Sequence, residues 1–575
     1  MKNYHNMQLQ KKRINYLFII VAIAGIFVFF RLFQLGVLEN KTYADAAKAQ
    51  HWSENEVQPK RGSIYVKDSS GDLYPLATNI KLYKAYVDLG NSENQDKTAE
   101  NIAGALSMSK DEIIDKFKNS QSKRYIPIKR KLSDEEVDRI KNLDDKAIGL
   151  EPEHWRTYPE KELASQVLGY VDGDGNGAGG IEQYFNEELR GTPGLYKAES
   201  DSLGNKILTG RDVSVDAKDG EDVVLTINRD IQAQAELALK NAVEKNHAKD
   251  GSIIVVDPKT GAILAMANSP TFDPNNYNEV KDYGLFKNSA ISDVYEPGSI
   301  FKVLTMAAGL DARKIEPDMK YTDTGSVTFN GSTIKNSDLK AHGEVTMTQV
   351  LEQSLNTGTT QVQRLLGKDL FFDYLQKFGL GMPTGIEAPD GTEGVGKVYK
   401  PSEVNDHTYA TMSFGQSIST TPLQMIMGFA LVANNGKLMK PHLVQERIKT
   451  DGEKTEYNAD AGKQIISPEA AIKLTGMMIS VVENGHGKQA KVKGYKVAGK
   501  TGTAQVPDPQ GGYSVGKNIG SFIGFAPADN PRFVVLAKID EPKGVAWAES
   551  TAAPVVGEIL QNLLNYYQVP PTEKQ

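Results

Sequence analysis

Ser299 and Lys302 stand three residues apart in the run Tyr295-Glu296-Pro297-Gly298-Ser299-Ile300-Phe301-Lys302. Pro297 and Gly298 close a loop, after which Ile300, Val303, Leu304 and Ala307 repeat at helical spacing. The pattern puts Ser299 in the first turn of a helix whose far side is buried, with Lys302 on the same face. A hydroxyl and an amine placed this way can serve as nucleophile and base. Burial and the positive end of a helix dipole both lower a lysine pKa, which leaves the amine able to take a proton. The free N–H groups of that first turn also favour negative charge growing on a carbonyl oxygen. The chain has no cysteine, so a thiol nucleophile, disulfides and Cys-ligated zinc are excluded.

Ser-x-x-Lys also occurs at Ser107, Ser120, Ser332, Ser337 and Ser514, but none of these opens an apolar helical stripe. Two further segments could complete a site with Ser299. Ser354-Leu355-Asn356 lies at the end of the helical stretch 347–355, and its side chains can relay a proton and hold an amide. Lys500-Thr501-Gly502-Thr503 alternates hydroxyl and small residues, as an edge strand would. An extended peptide could pair with it, its carboxylate meeting Lys500 and the Thr hydroxyls. A second Lys-Thr-Gly, at 259–261, reads as a hairpin turn after Asp257-Pro258.

Two other motifs compete. Residues 494–501 match the phosphate-loop pattern G-x-x-x-x-G-K-T, yet Gly502, Thr503, Val506, Pro507 and Pro509 oppose the helix such a loop must open. Asp172-Gly173-Asp174-Gly175-Asn176-Gly177 begins like a calcium loop, but its twelfth position is Gln183, and it reads as a surface loop. No His-Glu-x-x-His zinc site is present, and we expect neither metal nor cofactor.

The elements that must position these groups follow from periodicity. Residues 223–227, 252–256, 262–267, 522–526 and 533–539 read as strands, and 230–243 and 551–566 as helices. The apolar middle, 299 to about 480, reads mostly as helices. An antiparallel sheet built from both ends of a domain, with a helical block inserted, is an α+β fold. Upstream, 96–118 reads as one helix, and Ser133 as the cap of another that opens with Asp134, Glu135 and Glu136. A polar junction falls at 200–221.

At the N-terminus, Lys11, Lys12 and Arg13 precede an apolar run, Ile14 to Phe30, that extends to Leu35 past Arg31. It is long enough to span a bilayer, and the basic flank places residue 1 inside the cell and the rest outside. Small-x-small patterns at 44–49 suit a cleaved leader, but they lie far past the run, so we expect a retained single-pass anchor. The expected division is a tail (1–13), an anchor (14–35), a pedestal (36–215), a catalytic domain (216–568) and a C-terminal tail (569–575). With 66 basic and 73 acidic side chains in 575 residues, no basic excess invites nucleic acid.

With Ser299-x-x-Lys302, Ser354-x-Asn356 and Lys500-Thr501-Gly502-Thr503 in this order, the chain resembles the class B penicillin-binding proteins. Pro59-Lys60-Arg61-Gly62, Arg156-Thr157-Tyr158-Pro159, Gly180-Ile181-Glu182, Phe414-Gly415-Gln416 and Thr421-Pro422-Leu423-Gln424 extend the likeness nearly end to end. The resemblance implies a penicillin-binding fold on a dimerisation-like pedestal, and a D,D-transpeptidase that cross-links peptidoglycan stem peptides ending in D-Ala-D-Ala. It implies Ser299 as acylated nucleophile, Lys302 as base, and Ser354 with Lys500 as proton relay. It implies an oxyanion hole from the N–H groups of Ser299 and Thr503. Asn356 would hold the peptide amide, and Lys500, Thr501, Gly502 and Thr503 would receive the terminal carboxylate. β-Lactams would trap Ser299. Asn at 356 suits the FtsI-like division branch better than the elongation branch, and the implied partners are an FtsW-type membrane glycosyltransferase and other division proteins. D,D-carboxypeptidase, β-lactamase and a non-catalytic sensor share the fold. Gly485-His486-Gly487 departs from the family's usual Gly-Thr-Gly.

Overall fold

The computed structural model describes residues 2–41, 52–68, 70–120, 122, 125–199, 212–329, 331–457, 461–508, 510–545 and 547–572. The small-x-small patterns at 44–49 and most of the expected junction, 200–211, lie outside the described residues. The chain divides into two units, residues 1–59 with 191–219 and residues 60–190 with 220–575.

The smaller unit holds the helix Lys2–Phe33, which closes in a π-helical turn at Gln34–Leu38. From Arg13 to Leu38 it is apolar and none of it is buried; among the described residues it is the one helix long and apolar enough to cross a membrane. The same unit carries an antiparallel sheet in which Gly194–Glu199 lies between Trp52–Val57 and Asp212–Val215.

The larger unit contains two substantial sheets. In the first, Ile64–Lys67 pairs parallel with Asp222–Asn228 and antiparallel with the long strand Leu73–Val87, which also pairs with Ile148–Thr157. Two helices, Gln95–Leu106 and Lys110–Asn119, stand where one helix over 96–118 was expected. Ser107 adopts a left-handed conformation (φ 54°) that no helix interior tolerates, so the run breaks there. Ser133 caps its helix, and Glu136 completes a reciprocal capping box.

The second sheet is antiparallel and runs in the order Ile263–Ser269, Asp250–Val256, Phe533–Asp540, Tyr513–Ala526, Ala498–Pro507. Its central strand is buried on both sides. Val535, Ala537 and Ile539 join the core under the helices Arg229–Lys245 and Ala552–Tyr566, while Val534 and Leu536 join the core of the helical block. That block includes Lys302–Asp311, Asn356–Leu366, Pro422–Ala433 and Pro468–Glu483. Two small hairpin-like pairs, within 320–346, interrupt it. The α+β layering expected from periodicity is therefore present: helices on both faces of an antiparallel sheet.

The competing motifs resolve locally. Residues 500–507 are strand, not helix, so the phosphate-loop geometry is absent there. The Asp172 carboxylate accepts from the N–H groups of Asp174 and Asn176, closing its own loop. Gly261 returns its N–H to Asp257 in the expected turn.

Candidate active site

Ser299 sits in a 3₁₀ turn, Gly298–Phe301, that runs directly into the helix Lys302–Asp311. The turn is fixed from outside. Gly298, at φ 58°, donates its N–H to Gly415 O at 3.0 Å. Tyr295 exchanges both backbone hydrogen bonds with Thr420. Glu296 accepts from the Ser417 N–H at 2.8 Å and from the Tyr513 hydroxyl at 2.8 Å. Sequence spacing did not single out Glu296 or Ser417 for a role, because their partners lie more than a hundred residues apart in the chain.

Ser354 lies elsewhere than expected. The preceding helix ends at Glu352, and Ser354 takes a left-handed conformation (φ 58°) in the link to Asn356–Leu366, instead of closing the helical stretch 347–355. That bend turns both its carbonyl and its hydroxyl toward Lys302, whose Nζ donates to Ser354 O at 2.5 Å and Oγ at 3.1 Å. Lys500 Nζ donates to the same Oγ at 3.1 Å and to Thr501 O and Oγ1 at 3.1 and 3.3 Å. Three segments distant in sequence thus share one hydroxyl.

The remaining residues are distributed around this cluster. Ser299 is half-buried, and both hydrogen bonds of Lys302 go to Ser354, not to Ser299. Asn356 donates its side-chain N–H to Lys335 O at 2.9 Å. Thr503 Oγ1 accepts from the Ala548 N–H at 3.2 Å. Gly502 is required by close approach: a Cβ there would meet Ser521 Oγ at 2.6 Å, Ile300 Cγ2 at 3.0 Å and Pro297 O at 3.1 Å. The strand Ala498–Pro507 therefore lies flat against the Ser299 turn, and as the last of five it offers a peptide its outer edge.

Both lysines are fully buried. Burial, reinforced by the charge of Lys500, holds the Lys302 pKa well below the usual lysine value. Burial brings Lys500 down to about 7, with the Glu549 carboxylate pulling the other way. Both shifts favour the uncharged amine, and Lys500, at about 7, still carries its proton in part near neutral pH. Such a cluster can deprotonate a neighbouring hydroxyl and hold an anion beside it.

Comparison with known proteins finds likenesses along nearly the whole chain. The penicillin-binding protein transpeptidase domain model matches residues 251–561, and the penicillin-binding protein dimerisation domain model matches residues 56–225. Stage V sporulation protein D of Bacillus subtilis is 34% identical over 572 residues, 98% of this chain and 87% of that protein. The peptidoglycan D,D-transpeptidase FtsI of Escherichia coli K12 is 30% identical over 526 residues, 90% of this chain and 85% of that protein. The crystal structure of penicillin binding protein 3 from Mycobacterium tuberculosis complexed with aztreonam superposes with TM-score 0.70 at 27% identity, covering 90% of this chain and 98% of that one.

Proposed function

This chain belongs to the class B penicillin-binding proteins, and from that premise we propose that it is a peptidoglycan D,D-transpeptidase acting through an acyl-enzyme on Ser299. The observation that carries the assignment is the Ser354 hydroxyl held between Lys302 and Lys500 beside the Ser299 turn.

In the proposed reaction, Ser299 Oγ attacks the carbonyl of the penultimate D-Ala, and Lys302 takes its proton. The oxyanion is held by the N–H groups of Ser299 and Thr503, each donor worth about 3 kcal/mol. The C–N bond then breaks. The terminal D-Ala leaves as an amine with the proton returned through Ser354 and Lys500. Asn356 holds the peptide amide, while Lys500, Thr501, Gly502 and Thr503 receive the terminal carboxylate. An amine from a second stem peptide attacks the ester, gives a proton to Lys302, and restores the Ser299 hydroxyl. A β-lactam opens on the same serine and stays as a slow ester.

Residues 14–35 anchor the chain in the bacterial cytoplasmic membrane. Lys2, Lys11, Lys12 and Arg13 keep the tail 1–13 inside. The pedestal, 36–215, and the catalytic domain, 216–568, then work outside. Asn356 and the likeness to FtsI favour septal synthesis, with an FtsW-type glycosyltransferase and other division proteins as partners. The likeness to stage V sporulation protein D favours a second reading, wall synthesis during spore formation.

The test is covalent labelling by fluorescent penicillin. We expect Ser299→Ala to abolish the labelled band, and a band that persists would reject the nucleophile. With two stem peptides, cross-linked dimer marks the transpeptidase and tetrapeptide monomer alone marks a carboxypeptidase. Depletion separates the biological readings: filaments for division, rounded cells for elongation, a defect confined to spores for sporulation.

A further inference from the structure

One buried ion pair of the larger unit has no part in the reaction just described. Lys538 and Asp540 lie on the central strand Phe533–Asp540, both buried, and the Lys538 ammonium pairs with Asp540 Oδ2. Side chains alternate along a strand, so Lys538 faces the same way as Val534 and Leu536, into the core of the helical block. Its register partners on the two flanking strands are Ser252 and Ser521, and Ser521 in turn lies opposite Gly502. A polar row thus crosses the sheet on its helical-block face and ends at Gly502, where the Ser299 turn touches the strand. A leucine at 538 would continue the apolar period without the cost of taking a cation out of water.

Tyr295, which precedes Glu296-Pro297-Gly298-Ser299, lies against this row. Lys538 Nζ stands over its ring, 5.2 Å from the centroid, within reach of a cation–π attraction. Both partners are buried, where water screens that attraction least. The Tyr295 hydroxyl makes no hydrogen bond among the described residues, so the ring is the part of the side chain that is held. The backbone of Tyr295 is clamped separately, by the two hydrogen bonds exchanged with Thr420. Between Tyr295 and Ser299 the chain has little slack: Pro297 and Gly298 are buried, and the Gly298 N–H is bonded to Gly415 O. A displaced ring therefore displaces the serine.

We propose that Lys538, kept in place by Asp540, is a positioning residue for the nucleophile: its ammonium holds the Tyr295 ring, and through that ring the loop that presents Ser299. This deepens the reading above and rests on the role proposed there for Ser299. Lys538 touches neither substrate nor reacting atoms; it acts through Tyr295.

The experiment follows acylation of the full chain in detergent by stopped flow, over a range of fluorescent penicillin concentrations in excess, so that the rate constant does not depend on the folded fraction. K538M/D540L removes both charges and keeps apolar bulk. An ion pair replaced in this way commonly leaves stability unchanged or raised, so the melting temperature should be no lower than the parent's. The limiting acylation rate should nonetheless fall by about tenfold or more, with the half-saturating penicillin concentration within about twofold of the parent's, because a misplaced nucleophile costs rate and not affinity. K538Q/D540N, which loses the charges and keeps a hydrogen-bonding pair, should show the same split, and it decides the question where the apolar pair does not fold. Y295L should slow acylation as much as K538M/D540L does, and Y295F, which keeps the ring, much less. Y295L added to K538M/D540L should bring no further loss, since both remove one contact. A parent-like limiting rate in the charge-free variants overturns the proposal. So does a loss matched by a lower melting temperature, which marks mere structural damage, and so do losses that multiply in the combined variant. Ser299→Ala measured alongside keeps the two readings apart: an adduct that persists there removes the nucleophile itself, whereas a Ser299-dependent adduct formed at the parent rate in K538M/D540L removes only the part given to Lys538.

Discussion

Two buried amines converge on the Ser354 hydroxyl, and their charges set how acylation must depend on pH. In the proposed reaction Lys302 would accept the Ser299 proton only when neutral, and burial with the neighbouring charge of Lys500 holds its pKa well below the ordinary value. In the same proposed reaction Lys500 would hold the carboxylate only when charged, and its pKa is brought to about 7, so the rate of the free protein should fall above that point. We expect a falling limb near neutrality, read from second-order penicillin acylation between about pH 5 and 9. A rate still climbing at the upper end would contradict the assignment. Lys302→Arg, which cannot shed its proton, should slow acylation by about a thousandfold or more while non-covalent binding survives. The spacing Ser299-x-x-Lys302 was legible in the sequence because a helical turn fixes it. The bonding of Lys302 to Ser354 was not, because it depends on a left-handed residue that no propensity foretells.

At the scale of elements, the site is a strand laid against a helical turn, and glycine sets the separation. Gly502→Val would place a Cβ against Ser521 Oγ, Ile300 and Pro297 O. The strand must then move off the Ser299 turn, which takes the Thr501 and Thr503 hydroxyls away from Ser299. We expect acylation to fall by about a hundredfold or more, with stability lowered by about 1–3 kcal/mol, compared by stopped-flow labelling and thermal melting. Parent-like acylation would show that the close approach is not needed. The alternation of Thr501 and Thr503 with Gly502 and Ala504 announced an edge strand, and the strand is last in its sheet. The single helix expected over 96–118 failed because apolar spacing continues across Ser107 although the backbone does not.

At the scale of the whole molecule, motifs with no chemistry of their own meet in one buried cluster of the larger unit. Glu182, fully buried, accepts from Arg61 at 2.7 Å and from Arg156 at 2.6 Å, and the Tyr158 hydroxyl donates to it at 3.2 Å. Arg156 also donates to Gly62 O at 2.7 Å, so the cluster ties three chain segments together. Glu182→Ala leaves two buried guanidinium groups unpaired and should cost about 3–5 kcal/mol in denaturant unfolding, with the folded fraction still labelled by penicillin at the parent rate. An unchanged unfolding midpoint would show that solvent or relaxation compensates them. The sequence by itself determined which residues can do chemistry, the apolar N-terminal segment and the strand and helix periods, since each depends on neighbours within a few turns of backbone. Only the tertiary structure decided that Ser354 is shared by two lysines, that Glu296 is bonded beside the Ser299 turn, and that His486 meets Glu549. Those contacts join residues tens to hundreds apart, and burial, which shifts the lysines, exists only once the chain has closed around them.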